Sequence, residues 1–492
     1  MIVALVLIPA VAGLLSFVLK SVTLRRALLM VTTVTQSALT VAAWLRRPEP
    51  VLDGWLAMDA LGLVFMSVVS GLCLITSVYV INYLAKEPSG KRPDLEEPVF
   101  FANEPEAVFI GCLLLFQSTM TLVTLSHNFG VLWVAVEATT LSSAPLIYFH
   151  RHHRSLEATW KYLVICSVGI ALALLGTFFL VYAATGTPSG SVRLVVEDLV
   201  AKATLLKTPW LKTAFIFMLV GYGTKMGLAP LHSWLPDAHS EAPSVVSALL
   251  SGALLNCAFL GILRVTQVLT AAGSGEFART LLLGFGITSV VTAMIFIVGQ
   301  LDYKRLLAYS SIEHMGILAI GVGIGGLGTF GGLLHAVNHS LTKGMLFLVA
   351  GNILAQFRSK ANSAVSGMFV TLPRTSILWM AGLLAITGTP PFGSFISELT
   401  IIRAAFAAGH TWMAITLLAA LGIIFVAMAA IFLRMLYGSS PEEQSVRSPL
   451  SESLFSILPP AILCLAVLVL GIFVPPALDR VLTEAGRLLG GQ

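Results

Sequence analysis

Apolar residues run in long, nearly uninterrupted stretches along most of the chain, separated by short polar or charged segments. The runs lack the alternation of a barrel strand. They have the roughly 20-residue length that an α-helix needs to cross a bilayer. Fourteen stretches qualify: 2–19, 27–44, 60–84, 107–125, 127–149, 161–184, 211–230, 243–267, 279–300, 306–325, 329–356, 374–409, 411–437 and 453–475. The first has no basic leader and no convincing cleavage site, so it reads as a span and not as a signal peptide.

Two stretches are interrupted. The seventh runs into GLAPLHSWLPDAHSEAP, with Pro230 and Pro236, and the twelfth contains TGTPPFGSF, with Pro390 and Pro391. A proline inside a helix removes a backbone hydrogen bond and clashes with the preceding turn. At membrane depth such a break survives where protein or a wet cavity satisfies the freed groups. Breaks five spans apart suggest two inverted five-helix repeats, with an ion path near the bilayer midplane. Ordinary proline kinks are the alternative. The organisation expected is an N-terminal three-helix region (1–106), a first repeat of spans 4–8 (107–267), a second of spans 9–13 (279–437), and a last helix with a short amphipathic tail (438–492).

Composition narrows the class. Of 492 residues, 57% are hydrophobic and only 11% charged, against about 25% charged in soluble domains. Mean hydropathy is +0.91. A soluble globule lacks its polar surface here, and disorder is excluded for the same reason. The expectation is an all-α polytopic membrane protein. The net charge of +5 comes from basic residues scattered over short loops, with no stripe and no aromatic interleaving, so nucleic acid is not a partner. With the N-terminus outside, sixteen loop lysines and arginines, Arg92 and Arg447 among them, fall on the cytoplasmic side and nine on the outer side. That split satisfies the positive-inside rule with both termini outside. The 185–211 loop is its largest violation. Cys73, Cys112, Cys166, Cys257 and Cys464 lie singly in apolar segments and read as small fillers.

Ionisable residues in hydrocarbon are costly and are functional candidates by default. Glu137 lies mid-span in VLWVAVEATTLSS, Lys225 just before the first break, Lys343 in HAVNHSLTKGMLFLVAG, and Glu398 just after the second break. Burial disfavours a charge and an opposite neighbour favours it, so a Glu–Lys pair can change charge state at little cost. A static ion pair that fixes helix packing is the other reading of Glu137 and Lys225. His335, His339 and Lys343, four apart, share one helix face, with Asn338 beside them. Histidine suits a proton relay. Two histidines at i and i+4 could also hold zinc, but there is no H-E-x-x-H and the adjacent lysine would repel a cation. Glu313 and His314 form a further pair. His232, Asp237, His239 and Glu241 crowd the first break, where protons could be taken up or where the loop is simply solvated. The run from His150 to Arg154 reads as a cytoplasmic anchor. Gly323, Gly325 and Gly328 spell G-x-G-x-x-G, yet inside an apolar span small residues mean close helix packing and not a dinucleotide site. No P-loop, haem motif or iron–sulfur cysteine pattern is present, so no redox cofactor or metal is expected in this chain.

TKMGLAPLHSWLPDAHSEAPSVVS, with AYSSIEHMG, HAVNHSLTKGMLFLVAG, GTPPFGSFISE and the mid-span Glu137, resembles the antiporter-like membrane subunits of respiratory complex I, of Mrp cation/proton antiporters and of energy-converting hydrogenases. The resemblance covers about residues 55–440. It implies fourteen helices and a midplane proton path. Glu137 would be the fifth-helix glutamate, Lys225 the seventh-helix lysine, Lys343 the eleventh-helix lysine of some members, and Glu398 the terminal group on the broken twelfth helix. One departure is Asn256, where several members carry a lysine or histidine. Asparagine cannot titrate, so the central link would run through water or from Lys225 to the His335–His339–Lys343 stripe. The glutamate of IEHMG and the segment RHHRSLEATWKYL make the chain most similar to F-type components of hydrogenase-4.

That likeness implies a proton-translocating subunit of a redox-driven complex. A nickel–iron centre and iron–sulfur clusters would lie in a peripheral arm, beside other membrane subunits, in a bacterial or archaeal inner membrane. A subunit of a cation/proton antiporter, with Na+ as the coupled ion, is the alternative.

Overall fold

In a computed structural model, residues 1–87, 90–93, 100–185, 193–438 and 452–490 are described. Arg447 and the side chain of Arg92, counted above among cytoplasmic charges, lie outside them. Every apolar stretch is helical. The first three are α1 (Ile2–Val18), α2 (Val22–Leu45) and α3 (Ala60–Lys86). A small antiparallel pair, β1 (Lys91–Pro93) and β2 (Phe100–Ala102), precedes α4 (Glu106–Leu125), α5 (Phe129–Ile147) and α6 (His153–Ala184). A short α7 (Val196–Ala201) leads to α8 (Thr208–Met226), α9 (Trp234–Glu241) and α10 (Ser244–Leu249), which passes through a π turn at Leu250–Leu254 into α11 (Leu255–Ala271). Then follow α12 (Gly275–Ile297), α13 (Tyr303–Ile324), α14 (Leu327–Phe357), the short α15 (Met368–Thr371), α16 (Pro373–Ile386), α17 (Gly393–Ala407), α18 (Thr411–Tyr437), α19 (Leu454–Ile472) and α20 (Pro476–Leu488).

Among the described residues, eleven helices are long and apolar enough to span a membrane, counting Ser244–Ala271 as one. The apolar α1 and α16 are shorter. Side chains such as Val11, Leu14, Val31 and Val426 point outward into what would be lipid, whereas Ser244–Ala271 is enclosed by protein over nearly all its length. This central helix is the axis around which the polar groups are arranged.

The breaks have local causes. Helix α8 stops at Gly227, which takes a left-handed φ of 83°, and the chain turns through Pro230 before α9 begins. Pro236 is not part of this break. It sits in the first turn of α9, where no backbone N–H is missed. The second break lies between Ile386 and Gly393, around Gly388, Pro390 and Pro391.

Small residues set the closest helix contacts. A Cβ on Gly221 of α8 would lie 2.5 Å from the Gly169 carbonyl of α6, and one on Gly316 of α13 would lie 2.7 Å from the Gly286 carbonyl of α12. Gly328 meets the Gly321 carbonyl, Gly323 meets Leu283, and Gly325 makes the turn between α13 and α14. The G-x-G-x-x-G run is therefore packing and a turn, as its apolar setting suggests.

Side-chain pairs close the bundle at both ends. At one end Arg47, after α2, pairs with Glu484 of α20, and Arg193, before α7, pairs with Asp198. At the other, Arg26 pairs with Glu106, and His150 bonds to Asn103 and Tyr83. The amphipathic tail predicted after Pro476 is the helix α20.

Candidate functional site

Lys225, in the last turn of α8 before the first break, has no exposed surface. Its Nζ donates to Thr140 Oγ1 at 2.8 Å and to the Tyr162 hydroxyl at 2.6 Å, and lies 4.4 Å from the centre of the Tyr162 ring. Thr140 in turn donates to Glu137 Oε2 at 3.4 Å, while Ser167 donates to Glu137 Oε1 at 2.8 Å. The sequence places Glu137 and Thr140 one turn apart on α5, and the hydroxyl fills the space between carboxylate and ammonium. The two charges therefore communicate through a group that both accepts and donates. Glu137 itself is only half-buried, at membrane depth on the flank of the bundle.

On the central helix, Asn256 follows the π turn. Its Nδ2 donates to Ser340 Oγ on α14 at 2.6 Å and to the Gly252 carbonyl at 3.0 Å, and its Oδ1 has no partner. A π turn inserts one extra residue into an α-helix. Here it also faces Ser251 towards Ser311 of α13, with 2.8 Å between the hydroxyls.

The second half gathers its candidates from α13, α14 and α17. His314 Nδ1 and His335 Nε2 are 2.8 Å apart, and His335 Nδ1 lies 2.9 Å from Ser397 Oγ, which Asn338 approaches at 3.4 Å. The His314 ring stacks on His335 with centres 4.9 Å apart and lies 5.2 Å from His339. Lys343 Nζ donates to the Leu307 carbonyl at 2.7 Å and to Ser310 Oγ. Glu398 is packed against Gly388, where a Cβ would fall 2.0 Å from the carboxylate oxygen. Buried polar atoms without a protein partner cluster here: Glu313 Oε2, His314 Nε2, both His339 nitrogens, Asn338 Oδ1 and Glu398 Oε1. Such groups are the usual ligands of ordered internal water.

His314, His335 and Glu398 offer ligand atoms within 4.8 Å of one another. In the His314–His335 contact, however, one nitrogen's lone pair is aimed at the other's N–H, and a shared metal would need both lone pairs aimed at a third point.

Around the first break, Asp237 is clamped by Lys161 at 2.9 Å and Arg305 at 2.5 Å, and Glu241 by Lys360 at 2.7 Å. These carboxylates tie α9 to α6, to α13 and to the segment after α14 that carries Lys360. His239 differs. It is buried flat against Phe347, with both nitrogens unpartnered. His232 packs near Phe296 and Tyr309. The predicted residues thus separate into a Glu137–Lys225 group, a central Asn256, and a His314–His335–Glu398 group with Lys343 and Glu313 beside it.

Sequence reasoning missed the hydroxyls that join them, Thr140, Tyr162, Ser310, Ser340 and Ser397. It also missed a second charged cluster. Arg264 of α11, fully buried, grips Asp59 with Nη1 at 2.5 Å and Nη2 at 2.8 Å. Nη2 also lies 3.1 Å from His127 Nε2, and His127 Nδ1 lies 2.5 Å from Glu197 Oε1 of α7. Asp59 caps α3 by accepting from the Gly62 N–H at 2.8 Å. Burial pushes the Asp59 carboxyl up, but Arg264 more than offsets this and holds it well below the usual range. For Glu197, burial is likewise outweighed by His127, and the net shift is downward. The one available signal was an arginine inside the predicted end of the eighth span.

Comparison with known proteins places this architecture. The family described as NADH:quinone oxidoreductase/Mrp antiporter, transmembrane, matches residues 126–424. The chain is 38% identical over 421 residues to a Hydrogenase-4 component F homolog of Methylacidiphilum infernorum, covering 85% of each. It is 32% identical to Hydrogenase-4 component B of Escherichia coli, aligned over 74% of this chain and spanning about half (52%) of that longer relative. A chain of the membrane-bound sulfane sulfur reductase, an archaeal respiratory membrane complex, has the same fold. It has a TM-score of 0.87 at 22% identity, covering 100% of this chain and 98% of that one.

Proposed function

The chain belongs to the NADH:quinone oxidoreductase/Mrp antiporter transmembrane family, and from that membership and its buried groups we propose that it is the proton-translocating membrane subunit of a redox-driven, hydrogenase-4-like complex. The observation that carries this reading is the Lys225–Thr140–Glu137 chain. A fully buried ammonium with no carboxylate in contact is expensive to keep. It becomes useful when its proton can leave, and a hydroxyl that links it to a carboxylate provides the first step. Asn256 and Ser340 then lead towards the His314–His335 pair, and Glu398 stands at the far side as the releasing group.

The redox chemistry, with a nickel–iron centre and iron–sulfur clusters, belongs to partner subunits in this reading. The work of this chain is to change the charge state of Lys225 in response. Other membrane subunits adjoin it, and the half-buried Glu137 is a natural point of contact. The location is a bacterial or archaeal inner membrane with both termini outside. The test is Lys225→Met in the assembled complex. Normal assembly with proton transport lost supports the proposal, and normal assembly with wild-type transport refutes it.

The antiporter half of the family description supports a second reading, in which the same groups serve cation/proton exchange. Transport that requires Na+ would favour it, and transport indifferent to Na+ would favour the redox pump.

A further inference from the structure

We propose that His127, Arg264 and Glu197 form a gated proton port that opens the Lys225 half of the molecule to the end of the bundle bearing α20. The inference rests on the relay reading above but assigns a site that the relay residues do not include.

Hydrogen-bond chemistry fixes the states. Arginine only donates, so His127 Nε2 must accept from Arg264, and the imidazole proton must then sit on Nδ1, donated to Glu197. The buried histidine is thus held as the neutral tautomer that can take a proton at Nε2 and pass one from Nδ1. The Glu197 side chain is 60% exposed while that of His127 is 2% exposed, so the pair bridges interior and surface. Arg264 can let go of His127 without being stranded, because Asp59 holds both its terminal nitrogens. Asp59 Oδ1, 3.8 Å from His127 Nε2, then faces the imidazolium that forms.

A balanced cycle follows. Arg264 swings off Nε2, and a proton arriving through water binds there. The Nδ1 proton leaves to the Glu197 carboxylate and then to solvent. The neutral ring now holds its proton on Nε2. It turns that nitrogen to the solvent side, where Nε2 gives its proton to water and Nδ1 takes one from water. The first tautomer is restored as the ring and Arg264 swing back, so that one proton has crossed per cycle. Among the described residues, Asp59, Arg264 and Glu197 are the charged groups that face His127. Arg47 and Glu484 lie farther out and act on Asp59.

A route inward is also present. Tyr222 lies one turn before Lys225 on α8, its ring rests over Gly261, and Gly261 is one turn before Arg264 on α11. The Tyr222 hydroxyl, Arg264 Nε and Gln267 Oε1 are all buried without a protein partner. A purely structural ion pair needs Asp59 and Arg264 alone. It gives no reason for a histidine between the arginine and an exposed carboxylate, or for unpartnered polar atoms leading back towards Lys225.

The experiment uses the complex isolated through the tagged chain and reconstituted in proteoliposomes, with proton movement followed by a trapped pH dye. His127→Gln keeps an acceptor for Arg264 and a donor for Glu197 but cannot carry a proton, so a structural clamp survives it. The expected result is normal assembly with transport at least about tenfold lower. Glu197→Gln should shift the midpoint of the pH dependence of transport by about one unit. Wild-type transport in assembled His127→Gln, with Lys225→Met inactive in the same liposomes, overturns the port and leaves the relay standing. Wild-type transport in Lys225→Met overturns both. If His127→Gln fails to assemble, Glu197→Gln decides: a shifted midpoint supports the port, and an unshifted one overturns it.

Discussion

Lys225 and Glu137 are joined through the hydroxyl of Thr140 and make no direct contact. A directly paired lysine and glutamate would hold their charges against each other. With Thr140 between them, the carboxylate stabilises the ammonium at one remove, and the hydroxyl supplies the first step of the proposed relay. Thr140→Val keeps the shape and removes the hydroxyl, leaving Lys225 with Tyr162 alone. A lost hydrogen bond to a charged group costs about 1.5–3 kcal/mol. The expected outcome is assembly close to normal and a proton-transport rate roughly tenfold or more below wild type, measured in proteoliposomes.

In the proposed relay the second half narrows to the His314–His335 contact, with Ser397 on the other ring nitrogen. His314→Gln keeps the polarity and loses the titratable ring. Transport is expected to fall roughly a hundredfold, within the range of positioned acid–base groups. Ser397→Ala frees His335 Nδ1, and a smaller loss is expected because the ring is no longer held in one tautomer. Comparing both rates with the amount of assembled complex checks the order.

Gly388 carries a left-handed φ of 58° and has Glu398 against its α-carbon. An alanine there meets both a backbone conformation that disfavours it and the end of the Glu398 side chain, which has to move. Gly388→Ala is expected to push Glu398 from its seat, destabilise the protein by about 1–3 kcal/mol and reduce transport. Thermal unfolding in detergent together with a transport assay would register both effects.

Asp59→Asn removes the counter-charge of a fully buried arginine. Breaking such a pair costs about 3–5 kcal/mol. Because the folded-state carboxyl titrates below its unfolded value, its stabilisation is complete well above about pH 4 and is lost as pH falls through the folded value. The gap in melting temperature between wild type and Asp59→Asn should therefore be wide at pH 7 and close in acid.

How far these features could be read in advance depends on their range along the chain. The spans were legible because burial in lipid demands continuous apolar runs, and both breaks because proline and glycine act locally. Lys225, Glu137 and Glu398 stood out because charge in an apolar run is conspicuous. Thr140 and Ser397 did not, since a hydroxyl amid apolar residues is common and its partner lies far away in sequence: 85 residues separate Thr140 from Lys225, and 62 separate His335 from Ser397. Arg264 and Asp59 are 205 residues apart. Each lies near a predicted helix end, where a charge looks like an ordinary boundary. Pro236 shows the opposite error. It looked like part of a break because the eye counts prolines, whereas the first turn of a helix accepts one.

The π turn at Leu250–Leu254 has a consequence for rotational phase. Each residue of an α-helix turns the chain by roughly 100°, so the one extra residue in this turn sets the angular position of everything downstream on α11. Asn256 faces Ser340, and Arg264, eight residues on and about 80° further round the helix, faces Asp59. Deleting a single residue between 250 and 254 would swing both side chains off their partners together, without altering either one chemically. The central helix therefore behaves as a camshaft: its two lobes are timed by one irregular turn, and the middle of the relay and the distant charged cluster keep a common register.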